Sequence, residues 1–390
     1  MATRLESVRP DVLQWARRSA NLDTEEAAKR AGVREQQILG WEDGEQSPTV
    51  VQLRKLASAY DRPLGAFFLP EPPTDDQPVR LPDFRREDVR GRESKALRKL
   101  ILAANQRVEA IDDAVEEGLE IPFELTLPSF SRRDGAEESG KHLRKQLKLD
   151  QLTSTARDPA NLLQALTSLL GDRGILVMQA QKIDYREMRG FSLHGENAAV
   201  VVLNSADAPR GKVFTLLHEL VHLGLRGDAL CDLSRQQTTD EERFCDAATA
   251  AALMPREAVL HLHNRSADLN YDYLRQLGDA LGSSPSAESV LLRLVELGLA
   301  SWDTYNEMRP SFQHAYDEFR DSTKPKKGEN PPPIYYPLKV RDLGRPFISL
   351  IIQAHEDGIV SSRDVTNLLD VSYGNLTKLR NQALFGRTAP

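Results

Sequence analysis

Two proline-rich breaks decide how this 390-residue chain can be divided, because neither can be built into the interior of a helix or a sheet. The first, Leu69-Pro70-Glu71-Pro72-Pro73-Thr74-Asp75-Asp76-Gln77-Pro78, is a stiff polar connector. The second covers residues 321–333, has few apolar side chains and ends in Pro331-Pro332-Pro333, so it reads as an extended or flexible segment. With 40% hydrophobic residues, the chain is long enough to build more than one buried core between these breaks.

Two cysteines, Cys231 and Cys245, are too few for a disulfide framework and suit a reducing compartment. The chain has no apolar run of about 18 residues, and Arg4, Glu6 and Arg9 interrupt any signal-peptide core after Met1. A cytoplasmic protein with no membrane partner is expected. The net charge of −7 argues against wholesale coating of nucleic acid, though not against a local contact.

The first 70 residues read as five short helices, over 11–20, 24–31, 34–42, 49–60 and 64–68. Asp23 caps the second, Gly32 ends it, and Ser47-Pro48-Thr49 opens the fourth. The run Ala27-Ala28-Lys29-Arg30-Ala31-Gly32-Val33, followed by Ile38 and Trp41, has the spacing of a helix-turn-helix. It resembles the XRE-type (Cro/C1-like) helix-turn-helix family, which implies that the helix from Arg34 to Glu42 enters the major groove of double-stranded DNA. Arg34, Gln36 and Gln37 are then the candidate DNA contacts. Yet the segment carries ten basic and ten acidic side chains, and Glu35, Glu42, Asp43 and Glu45 flank the candidates. Two uses of the bundle stay open: duplex DNA binding, and protein docking or formation of a homodimer.

Between the breaks, residues 93–118 read as a long amphipathic helix with Leu97, Leu100, Ile101, Ala104, Val108 and Ile111 at helical spacing. Further helices are expected over 140–149 and 161–171, and a first strand over 174–178. The chemistry lies in His218-Glu219-Leu220-Val221-His222. On a helix, residues four apart share a face, so His218 and His222 can hold one Zn2+ ion through their ring nitrogens, with Glu219 placed to take a proton from water. Phe214 to Leu217 before the motif and Leu223 after it continue an apolar helical face. The bland alternative is a pair of histidines on a core helix.

A third ligand is sought on a second helix. Residues 240–246 lead into the Ala-rich run 247–253 and then Met254-Pro255, and Glu242 at the start of this helix is the first choice. Its plain reading is a carboxylate answering the helix dipole. Cys245 lies three residues on and is a rival ligand; Asp246 is a weaker one.

The run from Arg210 through Phe214-Thr215-Leu216-Leu217-His218-Glu219-Leu220-Val221-His222, then Glu242, then Ala250-Ala251-Ala252-Leu253-Met254-Pro255, resembles the ImmA/IrrE family of metallopeptidases. Arg189-Gly190-Phe191-Ser192 and residues 198–204 resemble the two strands preceding the motif helix in that family. The resemblance implies that His218, His222 and Glu242 bind zinc and that Glu219 is the general base. It also implies a zinc endopeptidase that cleaves a protein regulator, often a helix-turn-helix repressor, linked to stress or mobile-element gene control. Cys245-Asp246 stands where the family usually has Ala-Asn, and Val221 where it often has glycine, which puts the metal shell in question.

The expected fold is therefore α+β and multidomain: an all-α helix-turn-helix bundle over 1–70, a linker over 71–92 and a helical connecting region over 93–154. A helical and small-sheet zincin-like metallopeptidase domain follows over 155–320, then a linker over 321–338 and a helical C-terminal domain over 339–390. In that last piece, residues 362–379 again have helix-turn-helix spacing, with a packed helical cap as the plainer reading. The strand over 198–203 is expected to offer an edge to an extended peptide. His261 and His263 could approach the site, though a polar turn makes them plain surface residues. The reading from a different class is a DNA-binding transcriptional regulator whose peptidase-like domain acts as a sensor or docking unit without turnover.

Overall fold

The computed structural model describes residues 8–20, 22–60, 62, 64–69, 71–72, 94–185, 187–226, 239–283, 285–322 and 335–386. Cys231 and most of the two expected linkers lie outside the described residues. Contacts divide the chain into two units, Met1–Arg80 and Leu81–Pro390.

The first unit is all-helical: α1 Pro10–Ser19, α2 Thr24–Ala31, α3 Glu35–Glu42, α4 Val50–Tyr60 and a 3-10 turn Leu64–Phe68. Asp23 accepts a hydrogen bond from the Glu26 backbone at 2.8 Å and starts α2. Gly32, at φ 62, ends it in the left-handed conformation that a side chain would resist. Leu13, Ala16, Ile38, Trp41, Leu53, Leu56 and Phe67 form the core. The Arg17 guanidinium grips both oxygens of Glu42 at 2.7 Å, fixing α1 to α3.

The second unit begins with α5 Lys95–Glu116, α6 Ala136–Gln146, α7 Leu149–Thr155 and α8 Pro159–Gly171. The single helix expected over 140–149 is two helices, because Lys148 turns left-handed (φ 52) between α6 and α7. Strands β1 Ile175–Ala180, β2 Gly190–His194 and β3 Ala199–Asn204 follow, then α9 Pro209–Arg226, α10 Thr239–Leu253, α11 Arg256–Leu262, α12 Tyr271–Ala280, α13 Ala287–Glu296 and α14 Trp302–Ser322. The C-terminal helices are α15 Tyr335–Leu343, α16 Arg345–Glu356, α17 Ser362–Leu369 and α18 Leu376–Phe385.

The sheet order is β1-β3-β2, with β1 parallel and β2 antiparallel to β3. This corrects one expectation: β3 is the central strand, buried at all six residues, and β1 and β2 are the edges. The sequence of β3 agrees, since a strand covered on both faces reads as a continuous apolar run. Ala199, Val201 and Leu203 belong to one core with Val213, Leu216, Leu217 and Leu220 of α9, so the odd-numbered face of β3 packs on the motif helix.

α6 and α10 pack unusually close. A Cβ on Gly140 would stand 2.5 Å from the Ala248 carbonyl oxygen and 2.6 Å from the Ala251 Cβ, which explains the small residues on both helices. At the other end, α15 packs on β1 and starts inside the linker expected over 321–338. The tail groups with the second unit by its contacts. Among the described residues no helix is long and apolar enough to cross a membrane.

Candidate metal centre

The motif residues sit on a helix that is apolar on nearly every side. Leu216, Leu217, Leu220, Val221 and Leu223 are fully buried, and His218, Glu219 and His222 are only 1–2% exposed. Polar groups so deep need partners, because each would otherwise lose its hydration for nothing. The helical period supplies the first, bringing His218 Nε2 and His222 Nε2 to 2.9 Å.

The second comes from α10, which packs along α9 and presents Glu242 from its first turn. Glu242 Oε2 is 3.3 Å from His218 Nε2, and Oε1 is 3.1 Å from His222 Nε2. Among the described residues, these three side chains form the group whose donor atoms all lie within 4.8 Å of one another. A tetrahedral zinc ion with bonds of about 2.0–2.1 Å would hold its ligand atoms about 3.3 Å apart. The separations of 2.9–3.3 Å, which involve both oxygens of Glu242, are close to that spacing, and two imidazoles with a carboxylate are a donor set zinc accepts, so the residues fit the ion.

The far ring nitrogens are also engaged. One turn beyond Glu242, Cys245 puts its Sγ 3.4 Å from His222 Nδ1, and Asp246 Oδ1 lies 2.9 Å from His218 Nδ1 without the alignment of a hydrogen bond. Glu241 Oε1 is 3.6 Å from His222 Nδ1. Cys245 and Asp246 therefore stand behind the histidines, not beside Glu242 among the converging donors.

Burial alone would raise the Glu242 carboxyl, but hydrogen bonds from His218 and His222 outweigh it and hold the group at about 2. Burial likewise opposes a charge on His222, yet Cys245, Glu241 and Glu242 raise its pKa well above the ordinary value. The Cys245 thiol is pushed up by its burial, against the pull of His222, and stays protonated. Local charge thus favours a cation at the Nε2 atoms.

Glu219 points elsewhere: its Oε2 accepts a hydrogen bond from Ser192 Oγ on β2 at 3.0 Å. Ser192 pairs with Val201, so it shares the β3 face that packs on α9. Sequence reasoning gave Ser192 no role. The signal was available, since it is the one polar residue between Phe191 and Leu193 in a strand buried at all three positions. A cleft of about 980 Å³ opens beside the cluster, with Phe214 and Asp246, both neighbours of His218, in its wall together with Arg189, Arg210 and Trp302. His261 and His263 are not among its lining; His261 is exposed and His263 Nδ1 meets the Tyr273 hydroxyl at 2.8 Å.

In the first unit, Arg34 and Gln36 are exposed at the start of α3. Gln37 is partly committed, because its Oε1 accepts from the Arg34 backbone at 3.1 Å and closes the helix start. Leu39 on α3 and Val50 and Val51 on α4 are also exposed, 42%, 36% and 63% respectively.

Residues 171–290 match the family model described as IrrE N-terminal-like domain, and residues 13–67 match the one described as helix-turn-helix. No curated protein and no solved structure matches the chain. The first match spans β1 through α13 and so contains His218, Glu219, His222 and Glu242. The chain thus joins an XRE-type helix-turn-helix domain to a metallopeptidase-like domain of the IrrE N-terminal kind.

Proposed function

We propose that the protein is a zinc-dependent endopeptidase that cleaves a protein regulator, a transcriptional repressor being the expected substrate, in stress or mobile-element gene control. The observation that carries this reading is the convergence of His218, His222 and Glu242 on one point with buried Glu219 alongside. His218, His222 and Glu242 would hold the ion, which would supply Lewis acidity toward the scissile carbonyl and toward water.

Glu219 takes the proton from the attacking water as its oxygen bonds to the carbonyl carbon, and returns a proton to the amine nitrogen as the C–N bond breaks. The outer edge of β2 suits an extended substrate backbone, since an added strand would satisfy its free peptide groups, and the adjoining cleft can take side chains. The helix-turn-helix unit, through Arg34 and Gln36, would bring the enzyme to duplex DNA where such regulators sit. The cytoplasm is the setting this requires.

The test compares wild type with Glu219→Gln in cells by mapping new protein N-termini, with zinc measured on both purified proteins. The substitution is expected to keep the ion and abolish the cleavages. Equal cleavage patterns with zinc bound would sink the peptidase and favour a DNA-binding regulator whose second unit senses or docks.

A further inference from the structure

Ser192 on β2 is only 4% exposed, and Glu219 on α9 only 2%. Between them runs the hydrogen bond from Ser192 Oγ to Glu219 Oε2, 3.0 Å long. A serine hydroxyl enclosed by Phe191, Leu193 and the apolar side of α9 needs an acceptor, and this carboxylate is the one it has among the described residues. A bond to an ionised acceptor is stronger than a neutral one and holds direction as well as distance.

The geometry points to Ser192 as the positioning residue of the general base. It ties down one oxygen of Glu219 and leaves the other to meet water or substrate. The tie also matters for what Glu219 does not do. Three donors already converge within 4.8 Å, and Glu219, next in sequence to His218, is not among them. A carboxylate on a flexible stem beside a cation would tend to turn toward it; Ser192, fixed in a paired strand, gives one oxygen of Glu219 a competing partner. The strand is itself well fixed. Ser192 lies opposite Val201 in the register, and β3 is buried throughout, so the hydroxyl is carried by an edge strand paired to the most enclosed part of the sheet. The reason for a polar residue at this position is therefore found on the helix across from it, not in the strand.

This rests on the peptidase reading above, with Glu219 as base. The consequence is a defined kinetic pattern. A positioning hydroxyl affects the step in which the proton moves and leaves substrate binding alone, so its loss should appear in kcat and not in KM.

The experiment uses the full chain loaded with zinc or with Co2+, as wild type, Ser192→Ala, Ser192→Thr, Glu219→Gln and the Ser192→Ala, Glu219→Gln double variant. The substrate probe is a peptide chosen from those that wild type cuts in a proteome-derived peptide mixture. Binding is read separately with acetohydroxamate, titrated against the visible spectrum of the Co2+ protein, because its hydroxyl must also meet the base carboxylate.

Ser192→Ala is expected to lower kcat about 10- to 100-fold with KM within twofold, and to weaken acetohydroxamate several-fold. Ser192→Thr, which keeps the hydroxyl, should restore both. On the Glu219→Gln background, where cleavage is already abolished, removing Ser192 should leave hydroxamate affinity unchanged. Wild-type kcat in Ser192→Ala would overturn the inference alone. So would an equal hydroxamate loss on the Glu219→Gln background. Peptide cleavage by wild type no faster than by Glu219→Gln would overturn the peptidase reading, and this inference with it. If Ser192→Ala does not fold, the Thr variant still decides, since failure of Ser192→Thr to retain activity while binding zinc and melting like wild type would count against a positioning hydroxyl.

Discussion

Gly140→Ala is the substitution whose outcome the packing determines most sharply. The added methyl would lie 2.5 Å from the Ala248 oxygen, 2.6 Å from the Ala251 Cβ and 2.9 Å from the Ala252 nitrogen. Ordinary contact begins near 3.4 Å, so α6 and α10 must part by about 0.9 Å, the difference between 3.4 and 2.5 Å. Two of the three atoms are backbone and cannot swing aside. Overpacking of this kind costs about 1–3 kcal/mol, and three simultaneous close contacts put it at the upper end. Alanine's better helix propensity returns only about 1 kcal/mol. The net loss is about 2 kcal/mol, a fall of about 3 °C in melting temperature for a unit of this size. Because α10 also carries Glu242, Cys245 and Asp246, zinc affinity should fall about tenfold. Thermal melts and competition against a chromophoric chelator measure both. Gly40→Ala is the control: its methyl would meet nothing nearer than 3.9 Å, so propensity alone should act and stability should hold or rise. A Gly140→Ala protein melting at or above wild type would refute the argument from close helix approach.

Two other outcomes follow from the same geometry. Glu242→Ala should lose zinc on gel filtration, whereas Cys245→Ala, which removes only a contact to His222 Nδ1, should keep one ion per chain with weakened affinity; metal analysis separates them, and full occupancy in Glu242→Ala would overturn its assignment as third ligand. Lys212, 9% exposed in the first turn of α9 with its Nζ 3.1 Å from Gln179 Oε1, is held down to about 8 by burial and then by Arg341. Between about 8 and its ordinary 10.5 the unfolded chain binds the extra proton, so the stability of wild type relative to Lys212→Met should rise as pH climbs through that window; a flat difference in denaturant midpoints would refute it.

The metal cluster was readable because its logic is periodic. His218 and His222 are one helical turn apart, and Glu242, Cys245 and Asp246 occupy one face of the next helix, so spacing brought forward the residues that the fold draws together. What spacing could not tell was which ring nitrogen each would meet, and that removes Cys245 from the converging donors. The sheet was harder. β3 and β2 are both short apolar runs, and only pairing distinguishes the centre from the edge. Lys148 illustrates a different failure: its left-handed turn splits α6 from α7 at a residue type that carries no turn signal. Ser192 was passed over because its meaning depends on a helix 27 residues away. Gln37 was legible as a polar residue at a recognition-helix start, but the same position also lets it close that helix.

The enclosure of the central stretch of α9 has a consequence for how the proposed ion would bind. Its residues from Leu216 to Leu223 are sealed beneath the sheet, α8 and α10, so their amide hydrogens should exchange with solvent only when the whole second unit opens. The two imidazoles are then held in place by the hydrophobic core rather than by the ion. An ion entering the proposed site would meet a ready receptor, in a docking event with no folding step to wait for. Small zinc modules behave in the opposite way, since in them the metal itself organises the chain.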